Sequence, residues 1–422
     1  MYLCFTPFFC RAKKGDMPMG KDLKGREIGK GISQRKNLSY IGRFVDKKGK
    51  RQTFYDKNLK QLIKKLEKAR YESEHGIYGT GEDVTLAEWF EVFLVEYKAG
   101  RVKLTTLYRI QQTFDLCQNG SLNKTKLREL RALQIQELVN ELHARGCTYG
   151  TIKQLKYLLS EMFRIAIGNG LMVINPCDAV ILPKEEECEE AVLTQEELDT
   201  FLAAASGFRH YRIFCIQVST GMRIGEVLGL KWSDIDFEKK TITISRSLHY
   251  GKLSKSEKCH FFFDSVKTKS SNRTIPLLPE TEKVLKKVRE KQYVERGENR
   301  KIWKQEEPFE DLVFTTSSGT PVTCGDVNRT IKKVIAKVNS SEIELAKLEN
   351  REPHLLPDFS THCFRHTFVT LCKKYGIPYE HIQLYVGHSE KEMTKYYDHN
   401  KVVVTTEDFK NMSVLNHGVE LE

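Results

Sequence analysis

The chain has no apolar run long enough to cross a bilayer, no C-x-x-C pair among its eleven cysteines, no G-x-x-x-x-G-K-[ST] loop and no H-E-x-x-H pair. The first absence argues against a membrane span. The second removes the usual spacing of a zinc ribbon and signals no disulfide framework, so a soluble protein in a reducing, cytoplasmic setting is expected. The third leaves no phosphate cradle for ATP, and the fourth no helix-borne zinc pair. The opening MYLCFTPFFC is apolar, but it is short, has no basic residue before it and no small-residue cleavage pattern after it, so it does not read as a signal peptide. It is expected to be disordered, with Met17 or Met19 as an alternative start. Acidic residues are outnumbered: 56 Asp and Glu face 68 Lys and Arg, a net charge of +12. Such an excess favours a polyanionic partner, because cations that neutralise phosphates release condensed counterions. Nucleic acid is the leading candidate.

What is present suffices for more than one core, since 422 residues at 40% hydrophobic composition exceed one ordinary domain. Residues 31–45 read as two short strands, 46–49 as a hairpin turn and 51–55 as a third strand. Leu59, Leu62, Ile63, Leu66 and Ala69 follow at helical spacing, a stripe able to cover one face of that sheet. The other face is expected to be basic, with Arg35, Lys36, Arg43, Lys47, Lys48, Lys50 and Arg51 interleaved by Tyr40 and Phe54. A ribbon of this size fits a DNA major groove, although a charge run also suits a merely solvated face.

GIYGTGE at 76–82 is a glycine-rich linker, after which Thr85 and Glu88 form a capping box. Helical patterns at 89–98, 106–119, 132–144 and 151–168 predict a small bundle, closed by Asn175 and Pro176. The charged tether PKEEECEE ends at another capping box, Thr194 with Glu197. Beyond residue 192 a mainly helical domain with a small sheet is expected, its strands at 241–245, 261–263 and 273–277. Between the last two, VKTKSSNR at 266–273 forms a hairpin carrying lysines at its tip. Residues 253–260 lengthen a strand connection, and 338–358 read as a second insertion.

Chemistry concentrates at 360–399. His362 and Arg365 are three residues apart in a helical pattern, so both side chains would leave one face together. Gly387 and His388 precede Ser389, which with Glu392 makes a capping box and predicts a helix start. His388 then sits where free N–H groups and a positive dipole suit a phosphate. Tyr397 lies about two turns further on. Ionising its phenol at neutral pH opposes about 4 kcal/mol, which cations or a base must offset. Upstream, TGMRIGE at 220–226 puts Arg223 at a helix start with Ile224, Val227 and Leu228 behind it. Two guanidiniums hold both non-bridging oxygens of a phosphodiester by paired hydrogen bonds.

Ordered as Arg223, Lys267, His362-x-x-Arg365, Gly387-His388 and Tyr397, these residues resemble the tyrosine recombinase (phage integrase) family, and most of all the integrases of conjugative transposons or temperate phages. That family's T-G-x-R-x-x-E, H-x-x-R and G-H-S motifs are all met, with a tyrosine nine residues after the last histidine. The resemblance implies a multidomain α+β fold: a small three-stranded sheet plus helix, a helical bundle, and a mainly helical catalytic domain with a small antiparallel sheet. Boundaries are expected at 1–22 (leader), 23–78 (arm-type DNA binding), 83–182 (core binding), 183–191 (linker), 192–400 (catalytic) and 401–422 (tail docking on a neighbouring protomer).

It further implies that the Tyr397 oxygen attacks a DNA phosphorus, forming a 3′-phosphotyrosyl link without metal, ATP or other cofactor. Arg223 and Arg365 would stabilise the pentavalent phosphate and His388 would donate to it. His362 would assist proton removal, and Lys267 would protonate the leaving 5′ oxygen, with Lys269 the alternative. Implied partners are double-stranded DNA at attachment sites, a homo-oligomer (a tetramer across two sites) and a DNA-bending or excision accessory protein, with no membrane.

Other readings stand beside this one. Residues 376–397 also resemble a helix-turn-helix with 389–397 as recognition helix, which would make the protein a non-catalytic regulator. A type IB topoisomerase shares the chemistry without site choice. His362 and His366, one helical turn apart, suggest a metal pair, Tyr396 shows that a tyrosine here need not react, and Arg223 could simply pair with Glu226.

Overall fold

Side chains and backbone are given by a computed structural model that describes residues 19–45, 51–74, 84–117, 121–185, 191–265 and 272–387. The chain divides into two units, residues 1–186 and 187–422.

In the first unit β1 (Met19–Lys21) pairs antiparallel with β2 (Glu27–Lys30). Residues 19–21 therefore belong to a strand, a correction to the leader expected to run to 22. The signal was weak because this short pairing is glycine-rich: a Cβ on Gly20 would lie 1.4 Å from the Ile32 carbonyl oxygen. Next, β3 (Ile32–Gln34), β4 (Tyr40–Val45) and β5 (Arg51–Asp56) form an antiparallel sheet in that order, covered by α1 (Leu59–Glu74). Ile32, Phe44, Leu62 and Leu66 make the core. Gly42 has no side chain where a Cβ would meet Leu66 Cδ1 at 2.2 Å, which lets the helix approach the sheet.

The expected interleaving of aromatics with cations is wrong for this sheet. Strand side chains alternate, and Tyr40 and Arg43 are an odd number of residues apart, as are Phe54 and Arg51. Tyr40, Phe44 and Phe54 consequently pack on the α1 side, while Arg43 and Arg51 are exposed. Tyr55 is the aromatic on the exposed face, with the Arg35 guanidinium 5.4 Å from its ring centroid.

The same unit contains α2 (Leu86–Val92), α3 (Leu104–Asp115), α4 (Ala132–Ala144) and α5 (Tyr149–Gly168). Thr85 and Glu88 form the reciprocal capping box that starts α2. That helix runs on into a π-helical turn at Phe93–Lys98, where the Ala99 N–H donates to Leu94 O at 2.7 Å. Aromatics fill the core: Phe90 and Phe114 stack at 3.7 Å, and the buried Trp89 indole donates to Met162 O at 3.0 Å. Asn175 accepts from the Cys177 N–H and terminates the bundle with Pro176 behind it.

The second unit contains α6 (Gln195–Ala205), α7 (Tyr211–Thr220), α8 (Ile224–Leu228), α9 (Pro279–Glu298), α10 (Cys324–Leu348), α11 (Thr361–Lys374) and α12 (Tyr379–Val386). Its strands are β6 (Ile235–Asp236), β7 (Thr241–Ile244), β8 (Arg246–Gly251), β9 (His260–Ser265) and β10 (Arg273–Pro276). They form two antiparallel sheets, β10-β7-β6 and the ribbon β8-β9, rather than the single three-stranded sheet expected. The strand at 246–251 escaped notice because RSLHYG has no clean apolar alternation. Residues 338–348, expected within an insertion, continue α10.

Nine of the ten residues of α7 are buried, and the helix runs through the middle of this unit. Its Phe214 joins Phe201, Phe359 and Phe364 in an aromatic cluster with neighbouring ring centroids 5.2–5.6 Å apart. Fully burying such a ring is worth about 1.5–3 kcal/mol, so α7 is held as a rigid rod whose end can be used as a fixed point.

At the edge of this core α6 starts from Thr194, whose hydroxyl accepts from the Glu197 N–H while Glu197 accepts from the Thr194 N–H at 2.7 Å. Thr194→Ala should cost about 1 kcal/mol. Amide exchange in the first turn of α6 is expected to quicken about fivefold, and unchanged exchange there would refute this assignment of the cap.

Candidate active site

Two helices end on left-handed glycines and aim their last carbonyls at one guanidinium. α7 stops at Gly221 (φ 59°) and α12 at Gly387 (φ 71°), each glycine N–H closing back on its own helix. Such backbone angles suit a residue without Cβ. At Gly221 a Cβ would also lie 2.4 Å from Phe368 Cδ1. The carbonyls of Gly221 and Val386 accept from Nη1 and Nη2 of Arg365, both at 2.7 Å. Arg365, on α11, is 4% exposed. Its charge is compensated by the negative ends of two helix dipoles. Burial first, then the neighbouring Arg223, lowers its pKa to about 9, so it stays protonated at neutral pH. A guanidinium carries five N–H donors, and two carbonyl bonds do not exhaust it.

Beside it lies the Glu226 carboxylate, 3% exposed and bonded by four donors. Arg223, the N-cap of α8, gives its backbone N–H to Oε2 and Nη1 to Oε1, both at 3.0 Å. Arg273, the first residue of β10, gives Nη1 to Oε1 at 3.3 Å and Nη2 to Oε2 at 3.0 Å. The same Arg273 donates through Nε to Tyr385 O at 2.7 Å, and Arg223 Nη2 reaches Gly387 O at 3.4 Å. Burial alone would raise the Glu226 pKa. The Arg273 charge and hydrogen bonds, and then Arg223, more than offset this and hold the carboxyl below its ordinary range.

Of the residues expected to carry the chemistry, Arg223 and Arg365 are brought to the same chain end, residues 386–387, from two different helices. Arg223 keeps 39% of its side chain exposed, whereas Arg365 is buried. The Arg223–Glu226 pair foreseen as a plain ion pair exists, and it also caps α8. His362 is exposed on the first turn of α11. His388, Tyr397, Tyr396 and the capping box at 389–392 fall outside the described residues, as do Lys267 and Lys269 of the hairpin. In the first unit Arg35, Lys36, Arg43 and Arg51 are exposed and Tyr40 faces α1, while Lys47, Lys48 and Lys50 fall outside the described residues.

Sequence reasoning missed Arg273. It opens a buried strand, RTIP, where a lone arginine carries no motif of its own, and its partners are remote in sequence. What the arrangement offers chemically is a pair of oriented guanidiniums, one buried and one half-buried, set for an anion with two equivalent oxygens.

The model of the phage integrase family matches residues 191–402, and that of the phage integrase N-terminal SAM-like domain matches 85–143. The chain is 28% identical over 364 residues to a tyrosine recombinase XerC-like protein of Caldanaerobacter subterraneus subsp. tengcongensis, spanning 84% of this chain and 89% of that one. It is 25% identical over 399 residues to the transposase from transposon Tn916 of Enterococcus faecalis, spanning 90% and 93%. A structure of the Tn1549 transposon integrase with circular intermediate DNA aligns at 24% identity and TM-score 0.62, covering 75% of this chain and 96% of that one. A lambda integrase tetramer bound to a Holliday junction aligns at 17% and TM-score 0.53, covering 89% and 98%. The two structures establish the likeness of fold.

The Glu226 carboxyl generates a pH prediction. Its folded pKa lies below the ordinary value of 4.5, so its stabilising contribution is complete above that pH and is lost as pH falls through the folded value. Glu226→Gln should be less stable than wild type at pH 7 and should lose less on acidification. Thermal midpoints from pH 7 to pH 3 check this, and parallel curves for the two proteins would contradict it.

Proposed function

Because the chain belongs to the phage integrase family, we propose that it cuts and rejoins DNA at specific sites through a 3′-phosphotyrosyl intermediate, with Tyr397 as nucleophile. It is a site-specific tyrosine recombinase of the conjugative-transposon type, which integrates or excises a mobile element. The observation that carries the chemical reading is Arg365, buried, protonated and gripped by two helix-end carbonyls next to Arg223.

In the proposed reaction the phenolic oxygen of Tyr397 forms a bond to phosphorus as the bond to the 5′ oxygen breaks. His362 takes the phenolic proton, directly or through water, and Lys267 delivers a proton to the leaving oxygen, with Lys269 as the alternative donor. Arg223 and Arg365 neutralise charge growing on the non-bridging oxygens, and His388 donates to the same group. Reversal by a second DNA end, whose 5′-hydroxyl attacks the phosphotyrosine, conserves the bond energy. Outside the site, Arg35, Lys36, Arg43, Lys48, Lys50 and Arg51 are proposed to contact DNA phosphates. Tyr40 is withdrawn from that set because it packs toward α1.

We also propose the three-domain layout with a docking tail, a tetramer across two sites, a bending or excision accessory protein, and action in the cytoplasm. Among the described residues no helix is long and apolar enough to cross a membrane.

Incubation with a nicked attachment-site DNA followed by denaturation should leave a covalent protein–DNA adduct. Tyr397→Phe should abolish it and Tyr396→Phe should keep it. Replacing Arg365 by Ala should slow adduct formation about 100- to 1,000-fold. Retention by Tyr397→Phe with loss by Tyr396→Phe would move the nucleophile by one residue, and equal relaxation of any supercoiled plasmid would favour a topoisomerase instead.

A further inference from the structure

Arg273 holds no place in the reaction just described, yet like Arg223 it is bonded both to Glu226 and to the end of α12. It is 9% exposed and binds the Glu226 carboxylate through both terminal nitrogens. Through Nε it binds the carbonyl of Tyr385, in the last turn of α12, at 2.7 Å. Its guanidinium also fills the space beside Gly387, where a Cβ would come within 3.0 Å of Nη1 and 3.2 Å of Cζ. Arg223 meets the same two elements, bonding Glu226 and the Gly387 carbonyl.

We propose that Arg273 is a positioning residue for cleavage, acting through Glu226 to aim Arg223 at the scissile phosphate and through Tyr385 to set the end of α12. The proposal rests on the recombinase reading above. Three observations favour this over a purely structural role. A buried ion pair contributes little net stability compared with apolar packing of the same volume, so stability alone is a weak reason for an arginine here. The carboxylate it binds is the one that orients Arg223, and with four donors on two oxygens Glu226 has little freedom to swing. Finally, the Tyr385 contact fixes the backbone two residues before Gly387, from which the chain continues to His388.

This geometry makes a chemical prediction that a packing role does not. A guanidinium aimed by Arg273 matters in proportion to the negative charge on the non-bridging oxygens. Replacing one of those oxygens by methyl, as in a methylphosphonate at the scissile position, removes that charge and with it the need for exact aim. Adduct formation by the full chain is therefore compared on nicked DNA with a phosphodiester or a methylphosphonate at that position. The proteins are wild type, Arg273→Lys, Arg273→Gln, Glu226→Gln, the Arg273→Lys/Glu226→Gln double variant, and Arg223→Ala as reference.

On the phosphodiester, Arg273→Lys is expected to slow adduct formation about a hundredfold, the scale of a misplacement of about 1 Å, with DNA binding by gel shift within about threefold of wild type. On the methylphosphonate the deficit should shrink to less than about tenfold, in parallel with Arg223→Ala. The double variant should be no slower than the worse single one, because both changes break one linkage. Equal deficits on the two substrates, additive effects in the double variant, or loss of DNA binding by both Arg273 variants would each assign Arg273 a structural role and overturn the proposal. Absence of any wild-type adduct would fail the recombinase reading itself, a result distinct from a wild-type adduct with no substrate-dependent Arg273 effect.

Discussion

Concentrating positive charge inside protein is the constraint that shapes the second unit. Arg365, Arg223 and Arg273 converge on the Glu226 carboxylate and on the ends of α7 and α12. Like charges at such proximity repel, and burial removes the water that would screen them. The protein answers with groups that cannot move: one saturated carboxylate and the negative ends of helices whose interiors are locked in the core. An environment of that kind is already polarised for an incoming anion and needs little reorganisation when one arrives. Burial and the neighbouring Arg223 lower the Arg365 pKa to about 9, which leaves the guanidinium charged at neutral pH.

Those fixed dipoles depend on local backbone geometry. Gly221 and Gly387 turn their helices off in left-handed conformations, and the space around each is taken by a side chain that the site needs. Phe368 occupies the place of a Gly221 Cβ and stacks on Tyr385 at 5.4 Å, while the Arg273 guanidinium occupies the place of a Gly387 Cβ. The two helix ends are thus braced by one aromatic pair and one guanidinium. A change at either glycine would disturb the backbone and the charge network together.

Part of the site was legible because its information is local: Arg223 and Glu226 lie within a single helical turn, so spacing alone places them together. The capping boxes at Thr85 and Thr194 were legible for the same reason. Arg273 was not, since its partners lie 47 and 112 residues away and nothing within RTIP signals them. Tyr40 and Phe54 show a different failure: the alternation was visible in the sequence, but their basic neighbours drew attention from the parity that puts them on opposite faces. The ribbon β8-β9 and the π-helical turn at Phe93–Lys98 express tertiary packing more than any local pattern. The four helices of the bundle, by contrast, follow from apolar periodicity, with α4 matching its expected span of 132–144.

Placement of these charges also bears on why a catalyst fits this unit better than a DNA-binding regulator. A protein that only grips phosphates does best with cations at the surface, where long side chains reach the backbone and desolvation is small. The exposed Arg35, Arg43 and Arg51 of the first unit follow that pattern. Arg365 does the opposite, lying in the core at a cost in solvation that DNA affinity alone gives no reason to bear. Such a cost is offset when the charge is wanted more strongly at one instant than in the resting complex, as negative charge accumulates on a phosphorus with five oxygens around it. On the function proposed above, the exposed cations of one unit would hold the duplex and the buried ones of the other would serve the transition state.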